Sequence, residues 1–176
     1  MIIDQTSSVS LISLGREHEA TFQNLIQFYT HEFSEFWAGT SQGDVQPNGR
    51  YADYALSDYW ERPNWSASVI VFGSSLVGFC LVNNSSHINE VVNANVAEFF
   101  ILRKFRGQGL GKSAARTMFS SRPGSWEVAV ASRNNAAKKF WKRTIETSPE
   151  ARHVQEIDVQ TGRWAGTVFC FDWLAI

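Results

Sequence analysis

Apolar residues recur along this chain with two periods, and the changes of period mark its elements. In "SVSLISL", residues 8 to 14, Val9, Leu11 or Ile12, and Leu14 alternate loosely with polar positions, which predicts a short first strand. From Arg16 to about Trp37 the residues Phe22, Leu25, Ile26, Tyr29, Phe33 and Phe36 return at three- and four-residue steps, the signature of one buried helix face. "GTSQGDVQPNGR" collects Gly, Pro, Asn, Asp and Ser and reads as a loop. A second helix is predicted over "YADYALSDYW", with Tyr51, Tyr54, Ala55 and Tyr59 on one side and Pro63 as its stop.

The period then falls to two. "SASVIVF" and "LVGFCLV" flank the short turn "GSS" and predict a hairpin. After the loop "NNSSHINE", residues 93 to 102, "NANVAEFFIL", predict a long strand covered on both faces at its end, where Phe99, Phe100, Ile101 and Leu102 are consecutive. Leu110, Ala114, Ala115, Met118 and Phe119 restore helical spacing until Pro123-Gly124, and "WEVAVAS" predicts the next strand. Asn134 is suited to cap a helix over "NAAKKFWKRTI", with Ala137, Phe140, Trp141 and Ile145 on its apolar side and Lys138, Lys139, Lys142 and Arg143 on its wet side. "HVQEIDV", the turn "QTGR" and "WAGTVFCFDW" close the chain as a second hairpin.

Composition narrows the class. A length of 176 residues suits one domain, residues 1–176, with one sizeable core. A net charge of -1 argues against a general nucleic-acid binder, so a local basic cluster needs a local cause. Cys80 and Cys170 sit in apolar runs and read as reduced core thiols of a cytoplasmic protein. The N-terminus lacks a leader pattern, no run is continuously apolar enough to span a membrane, and the four histidines lack metal-ligand spacing. The expectation is therefore no nucleic acid, no membrane and no metal.

The chemistry concentrates in "RKFRGQGLGKSAAR", residues 103 to 116. A Walker-type loop requires glycine five residues before its Gly-Lys-Ser, and Arg106 stands there. A dinucleotide-binding loop requires a third glycine at position 112, which is Lys. The spacing Gly107, Gly109, Gly111 after Arg106, at the start of a helix that directly follows a strand, resembles the pyrophosphate loop of the GCN5-related N-acetyltransferases. In that family the following strand leads into Asn-x-x-Ala-x-x-aromatic, and Asn134, Ala137 and Phe140 occupy those places. The likeness extends along the chain and, through "YTHEFSEF", "RPGSWEV" and "NNAAKKFW", is similar to an uncharacterised bacterial acetyltransferase subfamily.

The resemblance implies an α/β fold: a mixed, mostly antiparallel sheet of about six or seven strands with helices on both faces. It implies acetyl-CoA as co-substrate and direct attack of a primary amine, from a small molecule or a peptide, on the thioester. Arg106, Gly107, Gln108, Gly109, Leu110, Gly111 and Lys112 would cradle the pyrophosphate, with backbone N–H groups and helix polarity facing the phosphate oxygens. Main-chain groups of Phe100, Ile101 and Leu102 would hold the pantetheine arm and polarise the carbonyl, and Asn134 and Phe140 complete the cofactor set. Glu98 corresponds to the strand glutamate that serves some members as general base; pairing with an Arg or facing solvent is its structural alternative. Glu32 and Glu35, on the polar side of the first helix, and Tyr51 from the second are candidates to line the acceptor pocket. A solvated helix face and a core aromatic are the alternatives for them.

One departure stands out. Many family members carry Tyr one residue after the motif aromatic as a proton donor to the departing thiolate, and here that residue is Trp141. A thiol of pKa about 8.5 leaves tolerably without a strong acid. The departure also admits a rival, a non-catalytic acyl-CoA-binding or sensing protein on the same fold. Dimers are common in the family, so a homodimer is allowed, although no sequence feature fixes an interface.

Overall fold

The computed structural model describes residues 8–88, 90–161 and 164–175. Gly162 and Arg163 of the expected "QTGR" turn, Asn89 of the "NNSSHINE" loop and the segment before residue 8 lie outside the described residues.

Seven strands form one sheet in the order β1-β2-β3-β4-β5-β7-β6. They are β1 (Val9–Ser13), β2 (Ser66–Phe72), β3 (Ser75–Asn83), β4 (Ala94–Ile101), β5 (Gly124–Ala131), β6 (Ala151–Gln160) and β7 (Ala165–Trp173). Every neighbouring pair is antiparallel except β4 and β5. The expected mixed, mostly antiparallel sheet is therefore present.

Alternation along β3 sorts the core into two layers. Phe79 and Leu81 meet Phe22, Leu25 and Ile26 of helix α1 (Glu19–Phe33), together with Tyr59 of the short helix α2 (Asp58–Glu61). Cys80 and Val82 belong to the opposite layer, with Ala115, Met118 and Phe119 of α3 (Leu110–Ser120), Trp141 and Ile145 of α4 (Asn135–Glu146), and Trp126 and Trp173. Helices thus cover both faces, α1 and α2 on one and α3 and α4 on the other.

The second helix is much shorter than its sequence pattern predicts. Residues 51–56 have no helical or strand structure, and only Asp58–Glu61 is helical. The cause lies on α1, where two glutamines one turn apart offer their side-chain amides as a backbone partner. Gln27 accepts from Tyr51 N–H at 2.9 Å and donates to its carbonyl at 3.3 Å. Gln23 does the same for Tyr54 at 3.0 and 2.8 Å. These bonds satisfy the backbone at Tyr51 and Tyr54 from outside and remove the need for a helical one.

Two features of β4 prepare the site. The register to β3 shifts between Leu81↔Glu98 and Val82↔Val96, leaving Ala97 as an extra, bulged residue. The ladder to β5 holds only at Ala94↔Trp126, Asn95↔Glu127 and Val96↔Val128, and beyond that point the two strands share no pairing.

Candidate active site

A cleft of about 820 Å³ opens beside the end of β4 that β5 leaves unpaired, between β4 and α4. Phe99, Phe100 and Ile101 line it from β4, Gly107, Gly109, Gly111 and Lys112 from the glycine stretch, Asn134, Ala137 and Phe140 from α4, and Tyr29, Phe33, Glu35 and Phe36 from α1 and the turn after it. Residues from three separated stretches of sequence, 29–36, 99–112 and 134–144, therefore share one continuous space.

Backbone polarity in the gap follows from the antiparallel pattern. Leu102 N–H donates to Val77 carbonyl at 2.9 Å, so Glu98, Phe100 and Leu102 are the positions hydrogen-bonded to β3. Phe99 and Ile101 turn their N–H and C=O groups the other way, toward the gap, where β5 offers no partner. The Ile101 carbonyl accepts from Arg106 Nε at 2.6 Å. Leu102 has its N–H on Val77 and its carbonyl on Phe105 N–H, which leaves the Ile101 N–H and the Phe99 main-chain groups open to a ligand.

The three glycines act for different reasons. Gly107 and Gly109 adopt φ of +73° and +80°, a left-handed backbone costly for other residues, and a Cβ at either would meet nothing within 4 Å. They are conformational, and the space beside them is open. Gly111 is steric: a Cβ there would lie 3.3 Å from the Phe140 ring. Ser113 is the first residue of α3 to donate back to Gly109, and Gly109 supplies no side-chain cap. The N–H groups of Leu110, Gly111 and Lys112 thus lack intrahelical acceptors beside that open space. The Gln108 side chain donates to Lys104 carbonyl at 3.0 Å and braces the loop.

At the start of α4, Asn134 Oδ1 accepts from Ala137 N–H at 3.0 Å, the expected cap. Phe140 stacks on Phe99 with ring centroids 6.0 Å apart. Trp141 is buried among Phe99, Phe119 and Phe140, with centroids 5.1, 6.0 and 4.9 Å away, and still forms part of the cleft wall.

The charged candidates separate. Glu32 lies between Arg103 Nε at 3.2 Å and Arg106 Nη1 at 2.7 Å, and the Arg106 guanidinium also sits over the Phe100 ring. Glu35 lines the cleft with no ion-pair or hydrogen-bond partner among the described residues. The Tyr51 hydroxyl lies 3.0 Å from His31 Nδ1 and does not reach the cleft wall. Glu98 is partly buried just behind that wall: Tyr54 Oη donates to its Oε1 at 3.0 Å, and the hydroxyl of Tyr29, a wall residue, also serves it. Burial raises the Glu98 pKa above the ordinary carboxylate range, and the two tyrosine hydrogen bonds pull it partly back. Burial first, and then the Glu98 charge, push both tyrosines well above the usual phenol value.

Three features escaped the sequence pattern. Tyr29 reads as core by spacing alone, the pairing of Glu32 joins residues more than seventy positions apart, and Lys139 and Arg143, exposed as expected, also line the cleft. Arg133 also ties the two sides together, donating to the Phe36 carbonyl at 2.9 Å.

Among the described residues no helix is long and apolar enough to cross a membrane. No protein-family model matches the sequence, and no curated protein matches it. Solved structures do match the fold. An acetyltransferase from Thermus thermophilus is 16% identical with a TM-score of 0.58, over 93% of this chain and 96% of that one. Aminoglycoside acetyltransferase AAC(6')-Ib in complex with coenzyme A and kanamycin is 12% identical with a TM-score of 0.63, over 94% and 95%. A GNAT-family acetyltransferase from Staphylococcus aureus is 11% identical with a TM-score of 0.58, over 94% and 99%. The chain has the fold of the GCN5-related N-acetyltransferases, with the seven-stranded sheet splayed at its parallel pair.

Proposed function

We propose that this protein is an acetyl-CoA-dependent N-acetyltransferase acting on a primary amine with an apolar body. The observation that carries the reading is the continuity of one cleft from the glycine loop, across the unpaired edge of β4, to the aromatic end of α1. The groups present fit coenzyme A: N–H groups of Leu110 to Lys112 and the left-handed Gly107 and Gly109 leave a polar, open cradle for a diphosphate. Acetyl-CoA supplies the activated acyl group as a thioester.

The chain's residues then divide the work. Ile101 N–H, turned into the gap, stabilises the oxygen of the acyl carbonyl as charge builds on it. The acceptor enters beside Tyr29, Phe33 and Phe36, and Glu35, the unpaired carboxylate there, attracts its cationic form. Glu32 plays a different part, because Arg103 and Arg106 hold it and it in turn fixes the Arg106 side chain beside the loop. A lysine-like amine has a pKa of about 10.4 and must lose a proton before it attacks. Glu98 takes that proton through the Tyr29 hydroxyl, which passes its own proton to Glu98 as it receives one from the amine. The C–N bond would form as the C–S bond breaks, and the second amine proton would pass to the departing thiolate or to water, because Trp141 offers no acid for it.

Kanamycin is bound by the AAC(6')-Ib neighbour, and a small-molecule acceptor suits this cleft as well. A polycation does not, because Glu35 alone of its two carboxylates is free. The direct test is calorimetric titration with acetyl-CoA of the parent protein and of Gly109→Glu, which places bulk and negative charge in the cradle. The parent is expected to bind in the micromolar range and the variant to lose binding. A folded parent that does not bind sinks the reading, whereas binding without thiol release across a broad panel of apolar amines would favour an acyl-CoA sensor.

A further inference from the structure

Helix α4 carries four cations in two adjacent pairs, Lys138-Lys139 and Lys142-Arg143. The structure divides each pair. Lys138 Nζ lies 2.9 Å from Glu156 and 3.6 Å from Asp158, and Lys142 Nζ lies 2.6 Å from Glu156 and 2.9 Å from Glu146. Those two are matched by carboxylates of β6 and of their own helix. Lys139 and Arg143, one helical turn apart, line the cleft and have no carboxylate partner among the described residues. Lys112, also on the cleft, donates to Thr147 Oγ1 at 2.8 Å at the end of α4 and has no carboxylate either.

Three unmatched cations therefore follow one side of the cleft, between the start of α3 and the end of α4. The cleft's two carboxylates, Glu32 and Glu35, come from α1 and the turn after it, on the other face of the sheet. The glycine loop already has its own means for a diphosphate in the first-turn N–H groups and Arg106. Lys139 and Arg143 add positive potential that a diphosphate alone does not use.

We propose that Lys139 and Arg143 form a second anion subsite of the cleft, which takes a phosphomonoester on the nucleotide part of the ligand, the 3′-phosphate of coenzyme A. This rests on the reading that the cleft takes coenzyme A. The Arg143 guanidinium suits two phosphate oxygens at once, and Lys139 supplies a point charge beside it.

The test compares coenzyme A with 3′-dephospho-coenzyme A by calorimetry. The parent should prefer coenzyme A by about tenfold, the scale of one charge-assisted contact. Lys139→Gln/Arg143→Gln should bind both nucleotides with the parent's affinity for the dephospho form. Both residues are exposed, so this variant removes charge without opening the core. Lys138→Gln/Lys142→Gln removes the same charge from the other side of the helix and should keep the tenfold preference.

A parent that binds both nucleotides equally overturns the subsite and leaves the coenzyme A reading standing. So does a preference that survives in the Lys139/Arg143 variant, or one lost to the same degree in the control, which would make it an effect of net charge. A parent that binds neither nucleotide overturns the coenzyme A reading itself, and the subsite with it.

Discussion

The Glu98 carboxylate is caught between burial, which favours its proton, and the hydroxyls of Tyr29 and Tyr54, which favour its charge. Burial wins, and its pKa lies above the ordinary value. The folded protein thus holds this proton more tightly than the unfolded chain does. Its contribution to stability grows as pH falls through the raised folded pKa, and wherever the carboxylate is ionised its charge is a net cost to the fold. Glu98→Gln keeps an acceptor for both tyrosines and removes the charge. We expect its Tm at pH 7 to rise by about 1–3 °C, and its kcat/KM to fall by about a hundredfold or more. The parent's kcat/KM should decline toward acid through a pKa above the usual carboxylate range, and the variant should lack that limb. A variant with full activity and an unchanged pH profile would make Glu98 a structural residue and leave the deprotonation to solvent.

Between residue and fold stands the segment 51–56, which the sequence marks as helix and which in the structure is neither helix nor strand. Its tyrosines do recur at helical steps, but Gln23 and Gln27 on α1 satisfy its backbone from outside. Gln23 is nearly buried, so Gln23→Ala leaves the Tyr54 N–H and C=O without partners, at a cost of about 1–3 kcal/mol. Thermal unfolding should begin about 3–10 °C lower, and activity should fall too, because Tyr54 holds Glu98. The exposed neighbour Asn24→Ala is the control, and equal behaviour of the two variants would dismiss this bracing. The same contrast explains what was legible in advance. Strands, α1, α3, α4 and the glycine loop obey local rules of period, cap and spacing, and the splay could be anticipated from the family resemblance that the loop and Asn134 carry. Partnerships across the sheet obey no local rule: Glu32 with Arg103 and Arg106, the Gln23 bridge, and the division of α4's cations each depend on which side chains the fold brings together.

At the scale of the whole molecule, the sheet is continuous from β1 to β6, yet its two halves share only three residue pairs where β4 meets β5. Further links run through α3 and α4, whose shared core joins Phe119 to Trp126, Trp141 and Trp173, and through side-chain bonds such as Arg133 to the Phe36 carbonyl and Ser86 to Glu127. A ligand laid in the cleft would touch both halves, Phe99 to Ile101 on one side and Asn134 to Phe140 on the other. It would then stabilise the molecule by linkage, about 2.7 kcal/mol at a hundred times its Kd, or a Tm increase of about 5–10 °C. Linkage alone does not say where the ligand sits, but the alternation of β4 does. Amides of Phe100 and Leu102 are already bonded to β3, whereas those of Phe99 and Ile101 face the gap. Hydrogen exchange resolved by residue should therefore show acetyl-CoA slowing Phe99 and Ile101 strongly, with a smaller, uniform slowing of Phe100 and Leu102 from global stabilisation. Equal slowing of all four would mean that the ligand stabilises the fold without pairing to β4. Ile101 N–H would then lose its place as the group that polarises the acyl carbonyl, even if the glycine loop holds the nucleotide as proposed.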